Sequence, residues 1–309
     1  MPVVGAASAA PRVRVAGNTA IDLLARNVGE ASGPATDAWG ANVQVLRDPI
    51  AMVLGGCGAG PAYVLARLGV DVSLDTNLGD DAAGQVAAGW LCQAGVRLST
   101  ARACATAVHL IMLSPAGERR SAYFPGERVD WAQALEGPTP TWLLISGYGR
   151  VDATDAEQMT HVCARMRQRG ARVAFDPSPW FAGRVPEPTM LALWAHVDCL
   201  LGTVDELVHW RPAADPAELA ASLLALGPSQ VVVKQGAAGA TWAAVDEGTG
   251  HWSADPVAAA NTVGAGDSFN GRVLAGLCRG EPLAQATRAA VTLATRVVRR
   301  GLGVLGAFD

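Results

Sequence analysis

Residues 142–176 read WLLISGYGRVDATDAEQMTHVCARMRQRGARVAFD, and this stretch sets the class of fold to expect. It opens with WLLIS (142–146) and closes with ARVAFD (171–176), two short runs with apolar residues on both faces. Between them, from about Asp152 to Gln168, lies a helix with a polar face. Strand, helix, strand, with strands that offer water no face, is the pattern of a parallel sheet covered by helices on both sides.

The same alternation extends in both directions. Upstream, VRVAG ending at Gly17 and AMVLGG ending at Gly56 read as strands. A helix follows from Pro61 to Leu68, stopped at Gly69 where a left-handed cap carries no Cβ penalty, and then the strand VDVSL (70–74). Downstream come DCLL (198–201), a helix over roughly 215–226, and QVVVKQ (230–235). Two places break the rhythm. Residues 19–50 are polar and Gly-rich without a convincing helix, and residues 105–124 contain TAVHLIMLSPAGERRSAYF, two strand-like runs around Pro115, Ala116 and Gly117. Either these segments form a small sheet that projects as a lid, or they are edge hairpins of the main sheet. Both arrangements satisfy the pattern.

Composition narrows the function. The 309 residues are 50% hydrophobic and 17% charged, with mean hydropathy +0.22, which suits one buried α/β core and excludes disorder. A net charge of −4 with dispersed cations argues against nucleic-acid binding, and no apolar run has the length of a membrane span. The six cysteines include no C-x-x-C pair and the five histidines no H-x-x-x-H spacing, so a reducing cytoplasm without a zinc site is expected. Residues 1–10 are Ala-rich, lack the features of a signal peptide, and are expected to be frayed. Lys234 is the sole lysine and is followed by Gln235, so there is no G-K-[ST] phosphate loop; G-x-S-x-G and H-E-x-x-H are also absent.

Chemistry concentrates in Asn261–Leu277, NTVGAGDSFNGRVLAGL. Phe269, Val273, Leu274 and Leu277 share a helical face, which predicts a helix starting near Asp267 with glycines just before it. Gly264, Ala265 and Gly266 then present backbone N–H groups at a positive helix end, an anion site that a phosphate can approach closely. Asp267 is open to two readings, a helix-start residue or a general base facing an acceptor hydroxyl. GGCGAGPAYVLARLG (55–69) places a second glycine cluster between strand and helix, either a tight turn or a ligand-touching backbone. Asp22 in GNTAID is either a solvated loop residue or a sugar-hydroxyl acceptor, and Lys234 either a surface lysine or a phosphate neighbour.

These segments, in this order over roughly residues 12–303, resemble the ribokinase-like (PfkB) carbohydrate kinases. The resemblance implies a three-layer α/β/α sandwich with a mostly parallel central sheet and a small β-sheet lid formed by about 19–50 and 105–124. The D-T-x-G-A-G-D motif of the family appears as Asn261, Thr262, Val263, Gly264, Ala265, Gly266, Asp267. This implies Asp267 as catalytic base, the Gly264–Gly266 amides as anion hole and Thr262 at the nucleotide. It implies sugar binding by Asn18, Asp22, Gly55, Gly56 and Gly60, and nucleotide binding by Thr203, Glu206, Lys234, Gly236 and Gly239, with Glu206 near magnesium. ATP is the implied phosphoryl donor.

The chain departs from the family at four points. Asn261 stands for the leading aspartate, which removes a charge from a possible monovalent-cation site and puts potassium activation in doubt; Gly60 stands for a sugar-binding asparagine; Thr203 stands for the asparagine of N-x-x-E. In FDPSPW (175–180), Ser178 and Trp180 replace the Asn and Arg of keto-deoxysugar-acid kinases. The expected activity is transfer of the γ-phosphoryl group to a primary hydroxyl of a sugar. The alternatives are a nucleoside kinase, with Tyr123 and Phe124 stacked on a base, or a non-catalytic binding protein on the same fold. Arg119 and Arg120 are either a phosphosugar grip or a solvated turn. Leu110 and Met112 on the lid are candidates for pairing two subunits into a homodimer.

Overall fold

The computed structural model describes residues 12–29, 45–103, 105–116, 118–147, 151–257 and 261–308. Residues 1–10, the middle of the 19–50 segment (30–44) and Gly117 lie outside the described residues. Along the chain run β1 (Val13–Gly17), β2 (Ala20–Ala25), β3 (Ala51–Gly55), α1 (Ala59–Arg67), β4 (Val72–Gly79), α2 (Ala82–Ala94), β5 (Arg97–Ala103), β6 (Ala107–Leu113) and β7 (Arg119–Phe124). Then follow β8 (Trp142–Ser146), α3 (Ala153–Gln168), β9 (Arg172–Asp176), α4 (Glu187–Trp194), β10 (Cys199–Thr203), α5 (Val204–Val208) and α6 (Pro216–Leu224). The chain closes with β11 (Gln230–Lys234), β12 (Ala240–Ala244), β13 (Gly248–Trp252), α7 (Ala265–Cys278) and α8 (Leu283–Arg300).

Among the described residues, nine strands form one sheet in the order β13-β12-β11-β10-β9-β8-β1-β4-β5, parallel except for the β12 and β13 edge. Its central strands are apolar on both faces because two cores enclose them. One core joins Val15, Leu74 and Leu144 to α1, α7 and α8, and the other joins Leu143, Ile145 and Val173 to α3, α4 and α6. The α3 helix starts as expected: Asp152 caps it in a reciprocal capping box with Asp155. No described helix is long and apolar enough to cross a membrane.

The remaining strands form a separate four-stranded sheet, β3-β2-β6-β7, so the edge-hairpin alternative is ruled out. AMVLG, expected within the main β-α-β alternation, is instead β3 of this small sheet, antiparallel to β2. Burial grades along this strand, with Met52 near its start 47% exposed and Val53, Leu54 and Gly55 at its end buried, and its backbone pairs with β2 rather than with any strand of the main sheet. Leu110 and Met112 are only half-buried, and the exposed large apolar side chains described in this sheet are Met52 and Phe124.

Candidate active site

Strands β1, β8, β9, β10 and β11 end side by side, and the chain order reverses between β1 and β8. Ligands collect at such a switch point because the diverging connections leave a crevice beyond the carboxyl ends of the strands. Register aligns Gly17 with Ser146, Ser146 with Asp176, and Thr203 with Lys234 along that edge. The start of α7 closes over it.

This helix begins at Ala265, two residues before the expected start, because Gly264 adopts a left-handed N-cap (φ 75°). A Cβ on Gly264 would lie 2.6 Å from the Val304 nitrogen, so only glycine lets the turn pack there. The predicted donor set changes accordingly. Ala265 N–H is occupied by the Thr262 carbonyl at 3.2 Å, whereas Gly264 and Gly266 N–H meet no described acceptor and remain for an anion.

Asp267 sits in the first turn of α7 and lines a cleft of 210 Å³ together with Asn18, Asp22, Gly56, Cys57, Thr262 and Gly264. Burial pushes its carboxyl up to about 7, Asp176 adds to the rise and Lys234 opposes it. A carboxylate poised near neutrality can both exist as a base and accept a proton. Gly55 and Gly60 do not line this cleft; they stand behind its carboxylates. A Cβ on Gly60 would lie 2.5 Å from the Asp267 Cβ, and one on Gly55 would run into the carboxylate of Asp22.

Asp22 belongs to β2 rather than to a loop. Register places Val53, Asp22, His109 and Tyr123 in one cross-strand row, so the three polar side chains share a face of the small sheet. Burial raises Asp22 to about 7 against the opposing charge of Arg119, and burial followed by Arg119 lowers His109. His109 Nδ1 lies 3.7 Å from Asp22 Oδ1. Asn18 anchors the entry to α1: its backbone oxygen accepts from Gly58 and Ala59, its Oδ1 from Cys57 N at 3.2 Å, and its Nδ2 donates to the Tyr123 hydroxyl at 3.3 Å. Arg119 also lines the cleft, whereas Arg120 faces a different hollow near Val28. Phe124 points away and is 53% exposed, which corrects its expected place in the site.

The phosphate side holds a group that sequence reading missed. Lys234 is buried, not a surface lysine: its Nζ contacts Asp176 Oδ2 at 2.8 Å and Asn270 Oδ1 at 3.4 Å, and Asn270 Nδ2 donates to the same Asp176 oxygen. Burial works against the lysine charge, but Asp176 and Glu206 outweigh it and its pKa is raised. Asp176 was visible as the end of ARVAFD and Asn270 one turn beyond Asp267, but nothing in either segment signals their pairing. Gly236 (φ 58°) and Gly239 (φ 99°) shape the exposed turn after β11, at the same strand edge.

Glu206 and Thr203 form a capping box on α5, with Thr203 N donating to Glu206 Oε2 at 2.7 Å. Burial first, then Asp176, raises the Glu206 carboxyl while Lys234 opposes the rise. No cluster of three acidic, His or Cys side chains that could hold a metal occurs among the described residues, so these residues fit magnesium only through water and ligand phosphates. Potassium does not fit. Asn261 is spent at both ends, accepting from Val263 N at 2.7 Å and donating to the Gly301 carbonyl at 2.8 Å, and brings an N–H where a cation needs oxygen.

Residues 17–304 match the pfkB family of carbohydrate kinases. The chain belongs to that family. Among curated relatives it is 29% identical over 236 residues to the aminoimidazole riboside kinase of Salmonella typhimurium, covering 73% of this chain and 74% of the relative. It is 29% identical over 238 residues to a fructokinase of Klebsiella pneumoniae, covering 72% and 76%. A ribokinase structure from Thermotoga maritima superposes with TM-score 0.74 at 22% identity, covering 97% of this chain and 96% of that one. The Arabidopsis thaliana ribokinase complexed with ribose and ATP gives 0.73 at 19%, covering 96% and 95%. This pfkB protein is therefore a carbohydrate or nucleoside kinase with the ribokinase fold.

If Asp267 acts as general base, the acid limb of the rate profile follows from it: as pH falls through about 7 its carboxyl takes up a proton, and kcat/KM should drop tenfold per unit below the midpoint. Lys234→Met removes the charge that favours the carboxylate, so the limb should move to higher pH. A pH series of initial rates for both proteins measures this shift.

Proposed function

We propose that this pfkB protein transfers the γ-phosphoryl group of ATP to a primary hydroxyl of a sugar, with Asp267 as the general base. One observation carries the reading: the Asp267 carboxyl, beside the free Gly264 and Gly266 N–H groups, lines the same cleft as the polar row of Asp22, His109 and Tyr123. Asp22 and Asn18 orient the acceptor ring by accepting and donating hydrogen bonds to its hydroxyls. Asp267 then takes the proton of the hydroxyl in line with the phosphorus, and the two amides hold charge on the moving phosphoryl oxygens. Glu206 would hold magnesium through water, and the ion would offset the charge of the donor phosphates. The small sheet covers the acceptor and keeps water from competing for the phosphoryl group.

ATP as donor is supported by the complex of the Arabidopsis ribokinase. A riboside acceptor is the second reading, favoured by Tyr123, whose ring meets His109 edge-on at 5.3 Å in the cleft, and by the riboside kinase relative. Release of ADP is measured with ribose, fructose, adenosine, inosine and fructose 6-phosphate. The expected result is turnover confined to ribose or fructose. Turnover only with the nucleosides would replace the sugar reading, and inertness across a broad panel of alcohols would remove it.

A further inference from the structure

The anion hole rests on a second charged element that the kinase reading leaves without a role. Gly301 ends α8 in a left-handed cap (φ 65°), and its carbonyl oxygen accepts two side-chain donors, Asn261 Nδ2 at 2.8 Å and Arg26 Nη2 at 2.6 Å. Just beyond, Gly303 and Val304 form the surface on which Gly264 lies, with 2.6 Å between a Cβ built on Gly264 and the Val304 nitrogen. Asn261, the loop 301–304 and the anion-hole glycine are thus one packed unit. Arg26 enters it from the small sheet, as the residue directly after β2, and lines the cleft that continues past Asn261, Thr262 and Val263.

Electrostatics gives this contact a purpose. The 18 residues of α8 point their negative dipole end at Gly301, at the head of the loop on which the anion-binding Gly264 packs. An uncompensated carbonyl there opposes charge building on a phosphoryl group. A cation on the Gly301 oxygen offsets it, and this chain supplies one covalently. Asn261 adds only a neutral amide, so the full charge at this oxygen is that of Arg26. Its Nε is buried without a hydrogen-bond partner among the described residues, and the guanidinium is held by the Gly301 contact and by packing.

We propose that Arg26 is the fixed cation of the anion hole, holding the Gly301 carbonyl and its charge in place of any dissolved monovalent ion, so that phosphoryl transfer is independent of potassium. This rests on the kinase reading above and extends it to a positioning residue on the small sheet. Arg26 touches neither the acceptor nor the reacting atoms; it acts through Gly301 on the loop beneath Gly264.

The test compares KCl with choline chloride at equal ionic strength, using the acceptor that gives turnover. The parent protein should show equal kcat in both salts and the same Tm in both. Arg26→Met should lose about tenfold in kcat with acceptor KM little changed, and guanidinium ion at millimolar concentration should restore part of the loss. Arg26→Lys, which keeps a charge, should fall between the two. Strong potassium activation of the parent, a potassium-specific rise in its Tm, or an Arg26→Met variant as fast as the parent would each overturn the inference. The parent measurements need no variant and so survive a folding failure of Arg26→Met. A parent without turnover on any acceptor counts against the kinase reading instead, and the Tm comparison still judges the cation site by itself.

Discussion

Asp267→Asn is expected to lower kcat by about 10³- to 10⁴-fold while leaving ATP binding nearly unchanged. The substitution keeps shape and hydrogen-bonding capacity but removes the group that accepts the hydroxyl proton. A second measurement separates this from damage to the fold. Burial raises the Asp267 carboxyl from 3.8 to about 7, so the parent carries the full cost of a buried charge only above that midpoint. The asparagine variant is free of that cost. Its Tm should therefore exceed that of the parent at pH 8, and the gap should narrow as the pH falls below 7. A variant that melts earlier than the parent at pH 8, or that keeps parental turnover, contradicts the assignment of Asp267 as base.

Gly60→Ala should lower kcat by about 10²-fold, an effect out of proportion to the single methyl group added. That methyl would lie 2.5 Å from the Asp267 Cβ and 2.9 Å from its Cγ, so the Asp267 carboxyl must shift from the position proposed for the base. Stability should respond far less. Gly60 lies in the first turn of α1, where alanine is the better helix former by roughly 0.5–1 kcal/mol, and this offsets part of the crowding. The expected signature is a large fall in kcat with Tm within a few degrees and KM for ATP preserved. Gly60→Asn, the residue the family usually carries, should be at least as slow. In this protein α1 and α7 meet with no room for a side chain at 60, and the departure from asparagine and the placement of Asp267 belong together. An active Gly60→Asn variant would show that α7 can shift to accommodate it.

Parts of this site were legible because their signals are local. The glycines before Asp267 announce a helix start, and the structure supplies that helix with a left-handed Gly264 at its head. WLLIS and ARVAFD announce buried parallel strands, and their partners are β1, β8, β9 and β10. The errors also have a local cause. AMVLG has an apolar content that suits either sheet, and only its pairing with β2 assigns it to the small one. Tyr123 and Phe124 are adjacent aromatics, and strand alternation sends one to the cleft and the other to solvent.

What the chain determined by itself was the alternation of elements, the helix ends and the position of one carboxylate beside free peptide N–H groups. Each follows from residues within a turn or two of one another, through backbone geometry and the burial of apolar faces. Tertiary structure alone decided which distant polar groups meet. Asn270 and Asp176 are 94 residues apart, and Arg26 and Gly301 are 275 apart. Those contacts arise where strand ends converge at the reversal of the sheet, and a side chain carries no local mark of the distant partner that packing brings to it.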